Sequence, residues 1–315
     1  MKFSISVIIP AYNVERFIEK AIQSASKQSH VAEVIVVEDG SADNTKAILE
    51  KLLTGNPKLK VFHHENNVNK GRSASRNLGI KKATEDFIAF LDADDFYLEN
   101  RFVNDKELFK SNSNVDGIYN AISVHFYREA NILEKDRLKL TTVRKKVIPE
   151  ELFEALLNGG FGHFHIDGLT LKKSIFNKVG YFNEDLSVAE DTDLFWKMAL
   201  KSCLIGGVID TPVAVRGVHD SNVFNKEDLY YKYRIKLYES LIFWSNKNQV
   251  SLERIDLLLK WIWLIKYKDE DSLFKNISYW FFLFFNNSRI LFSTLSIKYF
   301  PLIRLRKKML PFLFP

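Results

Sequence analysis

An α/β fold, with a mostly parallel sheet flanked by helices, is predicted for this 315-residue chain by three observations. Short β-branched or aromatic runs alternate with segments of helical periodicity through the first 95 residues, the pattern of successive β–α units. Two of those runs close on acidic clusters, Val37-Glu38-Asp39-Gly40-Ser41 and Phe90-Leu91-Asp92-Ala93-Asp94-Asp95. With 46% hydrophobic and 27% charged residues, the chain can bury a sizeable core. The carboxyl ends of parallel strands form the ligand crevice of an open α/β sheet, so both clusters are expected to line one cleft.

The elements follow in order. Ile5 to Ile9 is a buried strand, and Val14 to Lys27 carries Phe17, Ile18, Ala21, Ile22 and Ala25 at helical spacing. Val34 to Val37 is the second strand, and the stretch Ser41 to Thr45 supplies capping side chains before a helix over Ala47 to Leu53. After the break at Gly55-Asn56-Pro57 come a strand over Leu59 to Phe62, a helix over Gly71 to Ala83 and a strand over Phe87 to Leu91. Right-handed crossovers are expected between them. Beyond Asp95 the alternation stops. A helix near Arg101 to Lys110, a strand over Gly117 to Tyr127 and a basic loop or hairpin around Glu134 to Lys146 precede an irregular Gly-, His- and Phe-rich binding loop from Gly159 to Gly168. A helix opens at Asp191 and runs to about Lys201, and Thr211 to Val215 reads as a strand. Three or four helices account for the last ninety residues, and there is no internal repeat.

Charge is uneven. Residues 226–315 carry sixteen Lys or Arg against eight Asp or Glu, so +8 of the net +6 sits there and the first 225 residues are near −2. The single cysteine, Cys203, stands beside Leu204 and Ile205 with no disulfide partner, which fits a reducing compartment and a small apolar role. The opening Met1-Lys2-Phe3-Ser4 enters a strand too short and too quickly polar for a signal peptide, so a cytoplasmic location is expected.

In an extended Asp92-Ala93-Asp94 segment the two carboxylates share one side and can face one hard cation, completed by water and phosphate oxygens. Acid pairs at strand ends also serve as turns and caps, and this pattern alone does not choose. The span from Ser6 to Asp95, however, resembles the nucleotide-binding half of family 2 glycosyltransferases, enzymes of the GT-A fold (Rossmann-like, of the nucleotide-diphospho-sugar transferase type) that build bacterial polysaccharides and cell-surface glycans. Ser6-Val7-Ile8-Ile9-Pro10-Ala11-Tyr12-Asn13, the Val37 to Ser41 cluster, Gly71-Arg72-Ser73-Ala74-Ser75-Arg76-Asn77 and Phe90 to Asp95 match four signatures in order. The resemblance implies that Pro10, Ala11 and Tyr12 form a base pocket, that Asp39 accepts from the uracil imide, and that Arg76 reaches the base or diphosphate. It further implies that Asp94 binds Mn²⁺ or Mg²⁺ and that Asp92 holds the ribose or supports the metal. Glu38 stands where that family commonly has aspartate.

Val188-Ala189-Glu190-Asp191-Thr192-Asp193, after Gly180-Tyr181-Phe182-Asn183-Glu184, is similar to the acceptor-side signature of the same family. The resemblance assigns Asp191 as the general base of an inverting displacement, with Glu190 as the alternative, whereas an isolated Asp here would read as a helix N-cap. Arg216-Gly217-Val218-His219-Asp220-Ser221-Asn222 resembles the segment that closes over the diphosphate, with His219 on phosphate or metal and Arg216 on phosphate. His163, His165 and Asp167 have zinc-like spacing without a fourth ligand, so His163 and His165 are read with Trp196 as acceptor or donor-sugar contacts.

The chain is thus divided into a GT-A domain over 1–225, with a nucleotide-binding half (1–95) and an acceptor half (96–225), and a basic, aromatic helical C-terminal region over 226–315. From Lys275 to Pro315 seven Lys or Arg and no acid are interleaved with aromatics, and Tyr279 to Phe285 falls short of a membrane span. This composition suits an anionic lipid surface rather than nucleic acid, with a helical cap packed on the catalytic domain as the alternative; the first reading places the protein at the inner face of the cytoplasmic membrane beside a saccharide or lipid-linked saccharide acceptor. The expected reaction moves a sugar from a nucleoside-diphosphate donor, UDP-linked by the resemblance. The rival readings are a noncatalytic sugar-nucleotide-binding protein of the same fold and a nucleotidyltransferase; the segment after Ile9 lacks the glycine- and lysine-rich phosphate loop that the latter needs.

Overall fold

A computed structural model of the chain describes residues 2–220, 222, 227–270 and 272–304. Strand β1 (Ile5–Ala11) is buried at every position but Pro10, as a central strand covered on both faces must be. Helix α1 (Ile18–Ser26) buries Ile18, Ala21, Ile22 and Ala25, a stripe at i, i+3, i+4 and i+7. It starts four residues later than the periodicity predicts. Asn13 has φ +52°, and the Val14 and Glu15 amides donate to Thr45 Oγ1 and an Asp43 carboxylate oxygen, each at 3.0 Å. The predicted capping side chains therefore tie two loops together, and only Asp43 also caps the next helix, through the Thr45 amide at 3.0 Å.

Strand β2 (Val31–Glu38), helix α2 (Thr45–Leu53), strand β3 (Leu59–His63), helix α3 (Arg72–Lys82) and strand β4 (Phe87–Phe90) complete the first half. Helix α3 presses onto β1 at Gly79, where a Cβ would stand 2.4 Å from Ile8 Cγ2, so only glycine permits the approach.

The second half contains β5 (Phe96–Tyr97), α4 (Val103–Ser111), β6 (Gly117–Tyr119), β7 (Ile122–Phe126), α5 (Ile132–Leu138), α6 (Leu152–Asn158), β8 (Leu169–Lys172), α7 (Ile175–Val179), α8 (Glu190–Lys201), β9 (Leu204–Gly206) and β10 (Ala214–Val218). The main sheet runs β3-β2-β1-β4-β8-β6-β9, with β8 antiparallel to both neighbours and every other pair parallel. A small sheet runs β5-β10-β7. Strand order reverses at β1 and β4, so the crevice opens beyond Ala11 and Phe90.

Three expectations are corrected. The strand expected over Gly117 to Tyr127 is two strands in different sheets. It divides at buried Asn120, whose amide group binds Asp105, the Gly168 carbonyl and the Val208 amide. The basic loop contains α5, capped by the Asn131 side chain on the Glu134 amide. Strand β10 begins at Ala214 rather than Thr211, and the Val213 amide instead bonds the Ala121 carbonyl.

A wholly buried polar cluster supports the irregular turn before β8. Arg101 pairs with Asp105 at 2.8 Å and donates to the Asp167 carbonyl at 3.2 and 3.3 Å, and Thr170 Oγ1 donates to Asp105 at 2.6 Å. Truncating one partner of a buried pair strands the other's charge, so Arg101→Ala is expected to lower unfolding free energy by about 3–5 kcal/mol, read by denaturant titration.

The chain separates near residue 226 into two compact units. The C-terminal unit is helical: α9 (Glu227–Lys247), α10 (Leu252–Asp269) and α11 (Leu273–Phe285), then the short α12 (Ser288–Leu291), α13 (Thr294–Lys298) and α14 (Pro301–Arg304). Among the described residues no helix is long and apolar enough to cross a membrane. Ser221, Arg306, Lys307, Lys308 and the Arg304 side chain lie outside the described residues.

Candidate functional site

The chain after β4 turns at once. The Asp95 amide bonds the Asp92 carbonyl at 3.0 Å, closing a four-residue turn, so the extended segment with Asp92 and Asp94 sharing one side does not form. The carboxylates take different partners instead. Asp92 Oδ1 accepts from Arg76 Nη2 at 2.6 Å, and Asp94 Oδ2 lies 2.8 Å from His219 Nε2 and accepts from Asn222 Nδ2 at 3.1 Å. Asp95 Oδ1 accepts from the Gly217 amide at 2.7 Å. A Cβ on Gly217 would stand 2.4 Å from the Asp94 carbonyl oxygen, so glycine lets β10 reach this turn. The His219 ring stacks on Phe17 with centroids 5.1 Å apart.

Two donor groups emerge. Asp94 and His219 are adjacent, while Asp92, Asp95 and His165 offer ligand atoms that all lie within 4.8 Å of one another. Carboxylate oxygens joined by an imidazole nitrogen fit a divalent cation, and the imidazole inclines either set toward Mn²⁺ over Mg²⁺. Asp95 and Asp167 hydrogen-bond to each other in full burial. Burial and the neighbouring carboxylates hold Asp95 well above the ordinary carboxyl range; burial opposes Asp167's charge too, but His165, Asp95 and the Asp92 amide bring Asp167 down to about 2.

The two halves of the site meet on α3. Arg72 and Arg76, one helical turn apart, both grip Glu190 at the start of α8: Arg72 Nε at 2.6 Å and Nη2 at 2.9 Å, Arg76 Nη1 at 2.9 Å. Arg76, 2% exposed, thereby bridges Glu190 to Asp92. Ala189, at φ +59°, delivers Glu190 and Asp191 into the first turn of α8, where exposed amides favour negative charge. Burial alone would raise Asp191, but Arg72, Arg76 and the Thr192 amide, at 2.7 Å, hold it below the ordinary value. Burial and the adjoining Asp191 push Glu190 the other way. Glu190's oxygens are occupied by arginines, whereas Asp191 accepts from the Thr192 amide.

At the other strand ends, Ala11 is buried, Pro10 half-buried and Tyr12 exposed. Asp39 is buried and its carboxylate accepts from the Lys70 and Gly71 amides at 2.7 and 2.8 Å, fixing the entrance to α3. Glu38, also buried, accepts from the Ser41 amide and sits 3.2 Å from His63. His165 Nδ1 is 3.2 Å from Asp167. His163 is exposed on the loop, and partial desolvation, then His165, Arg216 and Arg144, hold it below the ordinary histidine value against the pull of Asp191. Trp196 is buried on α8, edge-on to Phe153 with ring centroids 6.3 Å apart. Arg72 was open to discovery from sequence, since it stands four residues before Arg76 on one helix face. Asn222, Phe17 and the Asp95–Asp167 pair carried no such signal.

A mostly parallel, Rossmann-like sheet with carboxylates gathered at its strand ends defines an α/β protein with a ligand crevice at that edge. The sequence matches the family described as Glycosyl transferase family 2 over residues 6–179, and the chain belongs to that family. It is similar to an uncharacterized glycosyltransferase of Rickettsia felis, 30% identical over 197 residues, or 62% of this chain and 31% of that protein. It is also similar to the minor teichoic acid biosynthesis protein GgaA of Bacillus subtilis, 26% identical over 287 residues, or 86% of this chain and 62% of that protein. The chain thus spans about a third of the first relative's length and under two thirds of the second's. Its fold resembles that of S. aureus TarS 1-349 in complex with UDP-GlcNAc, at a TM-score of 0.63, 17% identity, 97% of this chain and 92% of that one.

Proposed function

We propose that the protein is an inverting, metal-dependent glycosyltransferase that moves a sugar from a UDP-linked donor to a saccharide or lipid-linked saccharide acceptor in cell-surface glycan synthesis. The observation that carries this reading is the Asp92–Arg76–Glu190 bridge, which joins the turn at the donor crevice to the helix that presents Asp191. Asp191, ionised and flanked by Arg72 and Arg76, takes the proton of the acceptor hydroxyl as that oxygen attacks the anomeric carbon. Asp94 and His219 would hold the Mn²⁺ or Mg²⁺, with Asp92 in support from the same turn, and the ion would supply charge neutralisation for the departing diphosphate. Arg216 faces the phosphates, and His163 and His165 face the sugars. Pro10, Ala11, Tyr12 and Asp39 form the base pocket; Asp39 keeps spare lone pairs for an imide N–H while clamping Lys70 and Gly71. The UDP-GlcNAc complex of TarS supports the donor class, and the name of GgaA supports a wall-polymer acceptor.

The test is nucleoside-diphosphate release from a panel of sugar nucleotides with Mn²⁺ or Mg²⁺. Asp94→Ala is expected to lower metal-dependent turnover by about a hundredfold or more while leaving the thermal transition in place. Full activity in that variant would remove the metal assignment, and nucleotide binding without turnover under any acceptor would leave a binding module.

We place the protein at the inner face of the cytoplasmic membrane. Phe274 and Phe292 are 81% and 87% exposed, and Phe281, Phe282 and Phe285 are exposed as well, among basic residues. Rings of this kind insert at headgroup depth. Co-sedimentation with anionic vesicles is expected to be lost in a Phe274→Ser/Phe285→Ser/Phe292→Ser variant; retention in full would overturn the placement.

A further inference from the structure

The segment after α5 ends against the acceptor loop. Val143, fully buried, pairs with Gly162, and the Arg144 amide donates to the Phe161 carbonyl at 2.8 Å. Arg144, Lys145 and Lys146 follow this anchor with exposed side chains. They finish a run in which six Lys or Arg between Lys135 and Lys146 face one acid, Asp136. Beside them lies a cavity of about 520 Å³, lined by Lys145, Lys146 and half-exposed Phe161, and around α6 by Glu151, Glu154 and Asn158. The Lys145 ammonium sits 5.3 Å from the centre of the Phe161 ring. Helix α6 packs on α8, the helix that opens with Asp191, and His163, two residues past Phe161, feels Asp191 and Arg144 alike. The cavity therefore borders α6, which packs on the helix that opens with Asp191, and none of its lining comes from the strand ends of β1 and β4.

We infer that this cavity is a distal acceptor subsite, which holds a second unit of an anionic saccharide or polyol chain while the terminal unit meets Asp191. The inference rests on the glycosyl-transfer reading and adds to it that the acceptor is a chain and that the chain is charged. An aromatic face packs against the C–H face of a sugar. The lysines meet phosphate or carboxylate groups as compact point charges, and Glu151, Glu154 and Asn158 accept from hydroxyls. The volume lies within the range of small-molecule sites, about 300–1,000 Å³, enough for one or two rings.

The test is equilibrium binding of fluorescent poly(glycerol phosphate), hyaluronan oligosaccharide and neutral dextran at physiological salt. Lys145→Gln/Lys146→Gln and Phe161→Ala are compared with wild type and with Lys232→Gln/Lys236→Gln, a control pair of exposed lysines on α9. At least one anionic chain is expected to bind about tenfold or more tighter than dextran and to weaken about tenfold or more in the Lys145/Lys146 and Phe161 variants, but not in the control. Which of the two chains binds separates phosphate from carboxylate. Unchanged binding in the two site variants, equal loss in the control, or equal affinity for dextran would overturn the inference. UDP binding and acceptor-free donor hydrolysis are measured on the same samples. Their absence in wild type would sink glycosyl transfer, while their persistence in the Lys145/Lys146 variant ties any loss to the acceptor subsite.

Discussion

Asp191→Asn is expected to lower kcat by about 10²–10⁴-fold, the usual contribution of a positioned general base, while UDP binding stays within about twofold of wild type. The substitution is nearly isosteric, and the amide oxygen can still accept from the Thr192 amide, so the first turn of α8 persists. What is lost is the charge that Arg72 and Arg76 stabilise. The pH dependence has a definite sign. Because those arginines hold the Asp191 pKa below its ordinary value, the base form survives as pH falls, and its folding contribution is present above the unfolded pKa and lost as pH drops through the folded one. Wild-type kcat is accordingly expected to show no acidic limb from Asp191 between about pH 5 and 8. An acidic limb near pH 6 that vanishes in Asp191→Asn would show instead that the base titrates high. Full turnover in the variant would remove Asp191 from the chemistry.

The nucleotide half was legible because β1, β2 and β4 are buried on both faces and α1 carries a stripe of Ile and Ala. β1, β2 and β4 therefore announced themselves as continuous apolar runs, and topology then brought Asp39 and Asp92 to one sheet edge. Local pattern failed where a single hydrogen bond outweighed it. Period-two alternation puts Asp92 and Asp94 on one side, but the Asp95 amide bonding the Asp92 carbonyl turns the chain and sends the carboxylates to different partners. It failed too where the deciding contact was distant in sequence. Nothing local to α3 signals that Arg76 meets Glu190, 114 residues away. The burial of Trp196 was hidden for the same reason, since its edge-on partner Phe153 lies on α6. The antiparallel β8 and three-residue β9 are too short to carry a period of their own.

The dependence of both halves on one guanidinium makes Arg76 the most consequential substitution outside the chemistry. Arg76→Met keeps the length and apolar stem of the side chain and deletes the fork, leaving Asp92 without its 2.6 Å partner and Glu190 with Arg72 alone, in a site where Arg76 is 2% and Glu190 1% exposed. Breaking a buried pair from one side costs about 3–5 kcal/mol, because the remaining carboxylates stay desolvated. For a domain of this size that lowers Tm by about 6–20 °C. Arg76→Lys restores the charge but only a point donor, which cannot bond Glu190 and Asp92 together, so an intermediate loss is expected. Because the residues are in contact, the losses are not additive: Arg76→Met/Glu190→Gln removes one stranded charge and is expected to recover about 1 kcal/mol or more relative to the sum of the single variants. Turnover separates a tether from simple packing. If Arg76 aligns the Asp92 turn with Asp191, kcat of Arg76→Lys falls by about tenfold or more at temperatures where the variant is fully folded. Equal kcat in Arg76→Lys and wild type, with only Tm reduced, would make the bridge a stabilising device and leave the alignment of donor and base to the remaining contacts of α3 and α8.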